Sequence, residues 1–357
     1  MSRISSRATS FSRLAFGLHK RGICTTLPLF HDTKNVWKLE SVQDEAQYWD
    51  GYLSTRPKYT PEFYDLIYSY HDAHSNSSNL AHDVGCGPGQ VSEKLAQQFK
   101  HVVLSDTNAS HVDFARYALS EQHNRSDQSA FSFAVAEAER LGEQYPRKST
   151  DLVACALTFP LLDTEATLHS FRTLLKPGGT LAIWFYGRAH FSEPDFAHCQ
   201  HLLNEIIDHH FGQMIQAKEM GPVFREQWKS TAEGIASWLD YIPFHESKWQ
   251  DVQRYKWNAS WTTMGFFTPQ ACGLDVNPIS RVKSAERIFE IEDRNLWRKD
   301  WTVTQLKTFV NHIFPFATTD QESVQPIWEQ LEQDMGGAHA RRAFSWPVAL
   351  NLASRRS

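Results

Sequence analysis

The chain has 357 residues, 41% hydrophobic and 22% charged, with a formal net charge of -5. That is enough apolar material for a full core without disulfide or metal staples, in one large elaborated domain or two small ones. The basic residues are dispersed after the N-terminus and no apolar run reaches membrane-spanning length, which excludes an electrostatic footprint for nucleic acid and a membrane span. Cys24, Cys86, Cys155, Cys199 and Cys272 are odd in number and form no C-x-x-C, so they are expected as reduced, mostly buried thiols of an intracellular protein.

Residues 1–31 hold Arg3, Arg7, Arg13, Lys20 and Arg21, many Ser and Thr, and no acid before Asp32. Arg- and Ser-rich, acid-poor N-termini read as organelle transit peptides, here a mitochondrial one, with a disordered basic tail and a cytoplasmic protein as the alternative. A fluorescent reporter fused to residues 1–35 is expected to enter mitochondria; a diffuse cytosolic signal would remove this reading. The following stretch turns aromatic, with Trp37, Tyr48, Trp49, Tyr52 and Tyr59 around Arg56-Pro57. A guanidinium such as that of Arg56 suits a carboxylate in two contacts, though an amphipathic helix with Arg56 in a surface pair would give the same letters. Pro61 with Phe63, Leu66, Ile67 and Tyr70 predicts a helix over 61–71.

Leu80 to Gly85 is the first predicted strand, and it runs into Gly85-Cys86-Gly87-Pro88-Gly89-Gln90, followed by helix formers from Val91 to Ala96. Glycines at alternate positions let a ligand lie on bare backbone at a helix start. Dinucleotide turns run G-x-G-x-x-G, and here Gln90 stands where their third glycine would be, with Asp83 just before the first. A carboxylate there repels a pyrophosphate but suits a ligand carrying an ammonium and a sulfonium, which points to S-adenosylmethionine. Val102 to Asp106 supplies the next strand and, at its end, an acid for ribose hydroxyls. A glycine turn that only closes a strand–helix unit, with Asp106 as a cap, is the plainer alternative. Further strands are predicted at 131–135, 151–157 and 180–186, with a helix through Leu168, Phe171, Leu174 and Leu175 stopped by Pro177-Gly178-Gly179. This β–α alternation predicts a doubly wound, mainly parallel sheet with its ligand at the carboxyl ends of the strands.

Residues 190–280 break the rhythm with Trp228, Trp238, Trp249, Trp257 and Trp261 amid helical spacing, and read as a helical, aromatic cap over the cleft. Arg287–Ile291 reads as a return strand, Thr302 as a cap of the helix after Trp301, 321–334 as a helix and Phe344–Ala353 as the last strand. His198-Cys199-x-His201 and His209-His210 lack a second ligand pair of matching spacing, so no metal is expected.

With these residues in view, the sequence resembles the class I S-adenosylmethionine-dependent methyltransferases, and within them the fungal group similar to trans-aconitate methyltransferase. The stretches that agree are the Asp83–Gly89 loop, Asp106, Tyr52–Tyr59, Ala138–Leu141, Leu174–Gly179 and Trp346–Leu350. The resemblance implies a Rossmann-like sheet of seven strands whose last inserts antiparallel. It implies cofactor contacts from Asp83, Gly85, Cys86, Gly87, Gly89, Gln90, Asp106, Thr107 and Leu157. It also implies Glu137 and Ala138 at the adenine edge, and Arg56 and Tyr59 near the amino-acid end. Relatives often carry Gln and a His-Trp pair where Leu157, Pro160 and Leu161 stand here, so the family's substrate does not carry over.

The resulting division is a transit peptide or tail (1–31), a cofactor lid (32–60), the cofactor-binding core (61–189), the helical cap (190–280) and completion of the sheet (281–357). The acceptor is expected to be a small molecule with a carboxylate, enol or phenol. Tyr186, Arg254 and Trp257 are the candidate acceptor residues. No motif names a catalytic base; His190, His209, His210, His245 and His312 qualify by type alone. A methyltransferase fold with a non-methylating role and a mitochondrial assembly protein are the competing readings.

Overall fold

The computed structural model describes residues 45–122, 130–216, 221–313 and 321–357; the basic stretch 1–31 and Trp37 lie outside the described residues. In chain order the first half runs α1 (Glu45–Thr55), α2 (Pro61–His74), β1 (Leu80–Val84), α3 (Gln90–Leu95), β2 (His101–Asp106), α4 (Ala109–Gln122), β3 (Phe131–Val135), α5 (Leu141–Gln144), β4 (Thr150–Ala156), α6 (Thr164–Leu174) and β5 (Leu175–Tyr186). The second half runs β6 (His190–Phe191), α7 (Ala197–Gln216), α8 (Pro222–Ala236), β7 (Trp249–Trp257), β8 (Arg287–Ile291), β9 (Lys299–Trp301), α9 (Val303–Ile313), α10 (Gln321–Asp334), β10 (Arg342–Ser345) and β11 (Val348–Arg355).

The main sheet has the order β3-β2-β1-β4-β5-β11-β7-β8, and β11 is its antiparallel strand. The chain leaves β1 for β2 on one side and returns to β4 on the other, so the switch point lies at the carboxyl end of β1, where the glycine turn begins. Asp151 fastens this point. Its buried carboxylate accepts the N–H groups of Asn79 and Leu80, both at 2.9 Å, and meets Lys176 Nζ at 2.5 Å. The start of β1 is thereby held against the start of β4.

Helix α2 begins with Pro61 at its first turn and buries Phe63, Tyr64, Ile67, Tyr70 and His71 on one face. It packs closely enough on β5 that a Cβ at Gly178 would stand 2.5 Å from the His74 carbonyl oxygen. The predicted cap at Thr302 is present as a reciprocal pair: Thr302 Oγ1 accepts from Gln305 N–H and Gln305 Oε1 accepts from Thr302 N–H.

Three expectations are corrected. The sheet has eight strands rather than seven, because β8 pairs parallel to β7 and forms an extra edge. Residues 249–257, read as part of a helical cap, are β7; both its faces are covered, so it lacks the in–out alternation that marks a half-buried strand. The last strand is two: β10 pairs with β6 and β9 in a separate three-stranded sheet, and the chain bends at Trp346-Pro347 before β11. Proline has no N–H for a ladder, and the Pro347 carbonyl instead accepts from Gly187 N–H at 3.0 Å.

Candidate active site

The turn after β1 is fixed from below: the N–H groups of Gly85 and Cys86 donate to the Ser105 carbonyl at 2.8 and 3.0 Å, and Gly89 N–H donates to Cys86 O at 2.9 Å. All three glycines have positive φ, at 69°, 49° and 86°. They differ in what a side chain would meet. A Cβ at Gly85 would stand 2.3 Å from Thr158 Oγ1, and one at Gly89 would press on Leu119, Ala115 and Leu104 between 3.3 and 3.5 Å. At Gly87 the nearest atom is on the Trp49 ring, 4.0 Å away. Gly85 and Gly89 are packing glycines; Gly87 presents bare backbone to open space.

Asp106 borders that space. Its Oδ2 accepts Gly87 N–H at 3.1 Å and its Oδ1 accepts Asn108 N–H at 2.9 Å. Thr107 beside it is exposed, and Gln90, half-buried, starts α3. The N–H of Ala136 donates to the Asp106 carbonyl at 2.9 Å, which brings Glu137 and Ala138 next to it at the exit of β3. Ala138 opens a short 3-10 turn, so its N–H has no partner within the turn. Leu157 holds a left-handed φ of 57° at the end of β4, a strained conformation for a leucine, with its N–H on the Trp184 carbonyl. Pro160 turns away beneath α8, its carbonyl accepting from Thr231 Oγ1.

Asp83 engages one carboxylate oxygen within the fold, and its Oδ1 is buried with no hydrogen-bond partner among the described residues. It is 1% exposed, because its side chain enters the layer between the sheet and α3, where Oδ2 accepts from Ser92 Oγ at 2.5 Å. Burial pushes its carboxyl up to about 7 against the opposing Ser92 bond, and the Asp106 charge adds to the rise. A carboxyl whose folded value lies above the unfolded one near 4 binds its proton more tightly when folded, so its contribution to stability falls as pH rises from about 4 to about 7, by about 1.4 kcal/mol per unit. Urea unfolding across that window is expected to show this loss in the wild type and not in Asp83→Asn; parallel pH profiles would contradict the assignment.

The far end of the cleft is aromatic. Arg56 is buried; its Nη1 stands 3.5 Å from Tyr186 Oη, its Nη2 donates to the His312 carbonyl at 3.2 Å, and its guanidinium lies over the Tyr52 ring. The Tyr59 ring centroid lies 4.8 Å from that of Trp297, 5.7 Å from Trp184 and 6.4 Å from Tyr186. Burial pushes the Tyr59 and Tyr186 phenols well up, so both keep their protons at neutral pH. Trp297, which the sequence reading did not single out, joins this cluster from the loop between β8 and β9 with a left-handed φ of 53°.

Two acceptor candidates are engaged by neighbours within the fold. Arg254 is fully buried: Nε donates to Glu286 at 2.6 Å, and Nη1 and Nη2 donate to the carbonyls of Leu239 and Ile242 at 2.9 Å each. It lies inside β7 on the sheet face opposite Trp257, and its donors bind the chain to itself. Trp257, at the carboxyl end of β7, packs behind Phe63 at 5.9 Å and against Tyr255 at 5.7 Å. Three of the candidate histidines meet neighbours within the fold: His190 is pushed down to about 3 by burial and the nearby Arg188, His209 pairs with Gln213, and His312 Nδ1 meets the Thr308 carbonyl. A groove of about 700 Å³ between α7 and residues 268–271 is lined by His201, Glu205, Asp208 and other polar groups, and includes no residue of the glycine turn.

Residues 82–183 match the family model described as "Methyltransferase domain". The chain is 37% identical over 334 residues to methyltransferase pgmE of Aspergillus terreus, covering 91% of this chain and 97% of that one. It is 36% identical to methyltransferase ptaI of Pestalotiopsis fici, over 87% and 94% of the two chains, and 34% identical to methyltransferase cfoB of Aspergillus candidus, over 87% and 95%. The chain belongs to the class I S-adenosylmethionine-dependent methyltransferases. In this methyltransferase the bare face of Gly87 and the carboxylate of Asp106 fit the cofactor's nucleoside, and Arg56 fits its carboxylate; the bound group supplies an electrophilic methyl on a sulfonium. Asp106→Ala is expected to weaken cofactor binding by roughly 1.5–3 kcal/mol, the scale of a hydrogen bond to a charged group. Unchanged affinity by calorimetry would mean that another acid serves the methyltransferase.

Proposed function

We propose that this methyltransferase transfers its methyl group to an oxygen of a flat, acidic small molecule. The observation that carries this is the wall of Tyr59, Tyr186 and Trp297 at the carboxyl edge of β5. Tyr59, the half-buried ring of the three, offers a face on which another flat ring can stack. A tricarboxylate acceptor would need several cations, so grouping with trans-aconitate methyltransferase, which rests on the sequence stretches above, does not extend to the acceptor.

None of the histidines traced above is placed as a base. That favours an acceptor already ionised at neutral pH, a carboxylate or an acidic enol or phenol, since such an oxygen attacks the methyl without losing a proton first. The residues' part is then to align the oxygen in line with the methyl–sulfur bond and to exclude water.

The test is incubation of the full chain with methyl-labelled S-adenosylmethionine and a protein-free metabolite extract. Label is expected in a small aromatic product, and mild alkali distinguishes a labile ester from a stable ether. Cofactor binding without label in any small molecule would favour a non-methylating role.

A further inference from the structure

The edge of the sheet opposite the glycine turn, where β4 and β5 begin and β11 ends, is basic. There the last turn of α6 runs into β5, and consecutive carbonyls each take a donor from elsewhere in the chain. Thr173 O accepts from Lys148 N–H at 3.0 Å, Leu174 O from Ser149 N–H at 2.9 Å, and Leu175 O from Nη1 of Arg355. These bonds gather Arg147, which precedes Lys148, Arg172, in the last turn of α6, and Arg355, the last residue of β11. The N–H of Arg356 donates to the Lys248 carbonyl at 3.0 Å, which adds two exposed cations to the same edge. The acids closest in sequence to Arg147 are engaged by other partners: Asp151 meets Lys176 at 2.5 Å and Glu143 meets Arg140 at 3.4 Å.

Arg355 is 5% exposed and Arg172 is half-buried, and the Nε of each is buried with no hydrogen-bond partner among the described residues. Burial, and then the charges of Arg172 and Arg147, push the Arg355 guanidinium down. Arg172 has a local reason for its place in the negative end of α6, and Arg355 has one in the Leu175 carbonyl. Neither accounts for like charges drawn together with two buried donors unspent, which is costly in a protein interior. A guanidinium presents its donors in a rigid fork that matches the oxygens of a phosphate, and a dianion among such groups offsets their mutual repulsion.

We propose that Arg147, Arg172 and Arg355 form a binding site for a phosphate-type oxyanion, remote from the cofactor cleft. The recessed Nε donors favour one compact group, a free phosphate or the phosphate of a small monoester, over an extended anionic surface, which would meet the exposed lysines first.

The probes are inorganic phosphate and glycerol phosphate, titrated by calorimetry into the full chain at an ionic strength held constant with chloride. Saturable one-to-one uptake is expected, tighter for glycerol phosphate where a phosphorylated small molecule is the occupant and tighter for inorganic phosphate where the free ion is. Arg147→Gln alone, at an exposed position, should weaken uptake, and Arg147→Gln with Arg172→Gln should weaken it at least about tenfold while leaving affinity for S-adenosylhomocysteine unchanged. In phosphate-free buffer the double variant should unfold at a urea midpoint no lower than that of the wild type, because two charges that repel Arg355 are gone. A lowered midpoint there would make the cluster structural and overturn the proposal, as would wild-type phosphate affinity in the double variant. Absence of uptake of both probes by the wild type overturns it as well, including the case in which vesicles containing phosphatidylserine are bound instead.

Discussion

Arg254→Ala should lower the unfolding free energy by about 3–5 kcal/mol, the cost of removing one partner from a buried ion pair. The substitution leaves the Glu286 carboxylate, 4% exposed, without its cation, and leaves the carbonyls of Leu239 and Ile242 without donors. It also frees β7 from the 239–242 segment that covers its outer face. Urea denaturation measures the loss directly, and cofactor affinity should be unchanged in the folded fraction. Full stability with impaired acceptor turnover would show instead that Arg254 serves a ligand.

Gly87→Val should abolish cofactor binding, at least about a hundredfold, while leaving a cooperative unfolding transition. Among the described residues a Cβ at Gly87 meets only the Trp49 ring within 4.0 Å, so the valine's volume displaces ligand rather than protein. The positive φ of 49° adds roughly 1–2 kcal/mol of strain, which a domain with 5–15 kcal/mol of stability tolerates. Gly85→Val makes the contrast, since its Cβ collides with Thr158 and the damage falls on folding. Normal affinity in Gly87→Val would mean that the turn is structural alone.

The central strands were legible because they are apolar runs between glycine and proline stops, a signal that survives without tertiary knowledge. The segment W-Q-D-V-Q-R-Y-K-W was not, because its polar residues are satisfied by partners brought in by the fold: Arg254 by Glu286, Lys256 by Asp240, and Asp251 by Arg287 and His74. Arg254 among aromatics looked like a ligand's cation for the same reason. At the cleft, spacing found the glycines and Asp106, but only packing separates Gly87 from Gly85 and Gly89. Asp83 shows the limit from the other side: an acid before a glycine turn can lie beneath it, bonded to Ser92, as well as face the ligand. Trp297 carried no signal, since it joins its cluster through contacts between elements distant in sequence.

Photo-crosslinking of methyl-labelled S-adenosylmethionine to the full chain, followed by peptide mapping, tests most directly where the cofactor lies. The label should fall in peptides that carry Trp49 to Tyr59, the Gly85–Gly89 turn or Asp106 to His111, and should disappear in Gly87→Val. Label concentrated in peptides of α7 and residues 268–271, unaffected by that substitution, would place the cofactor in the polar groove and contradict the account.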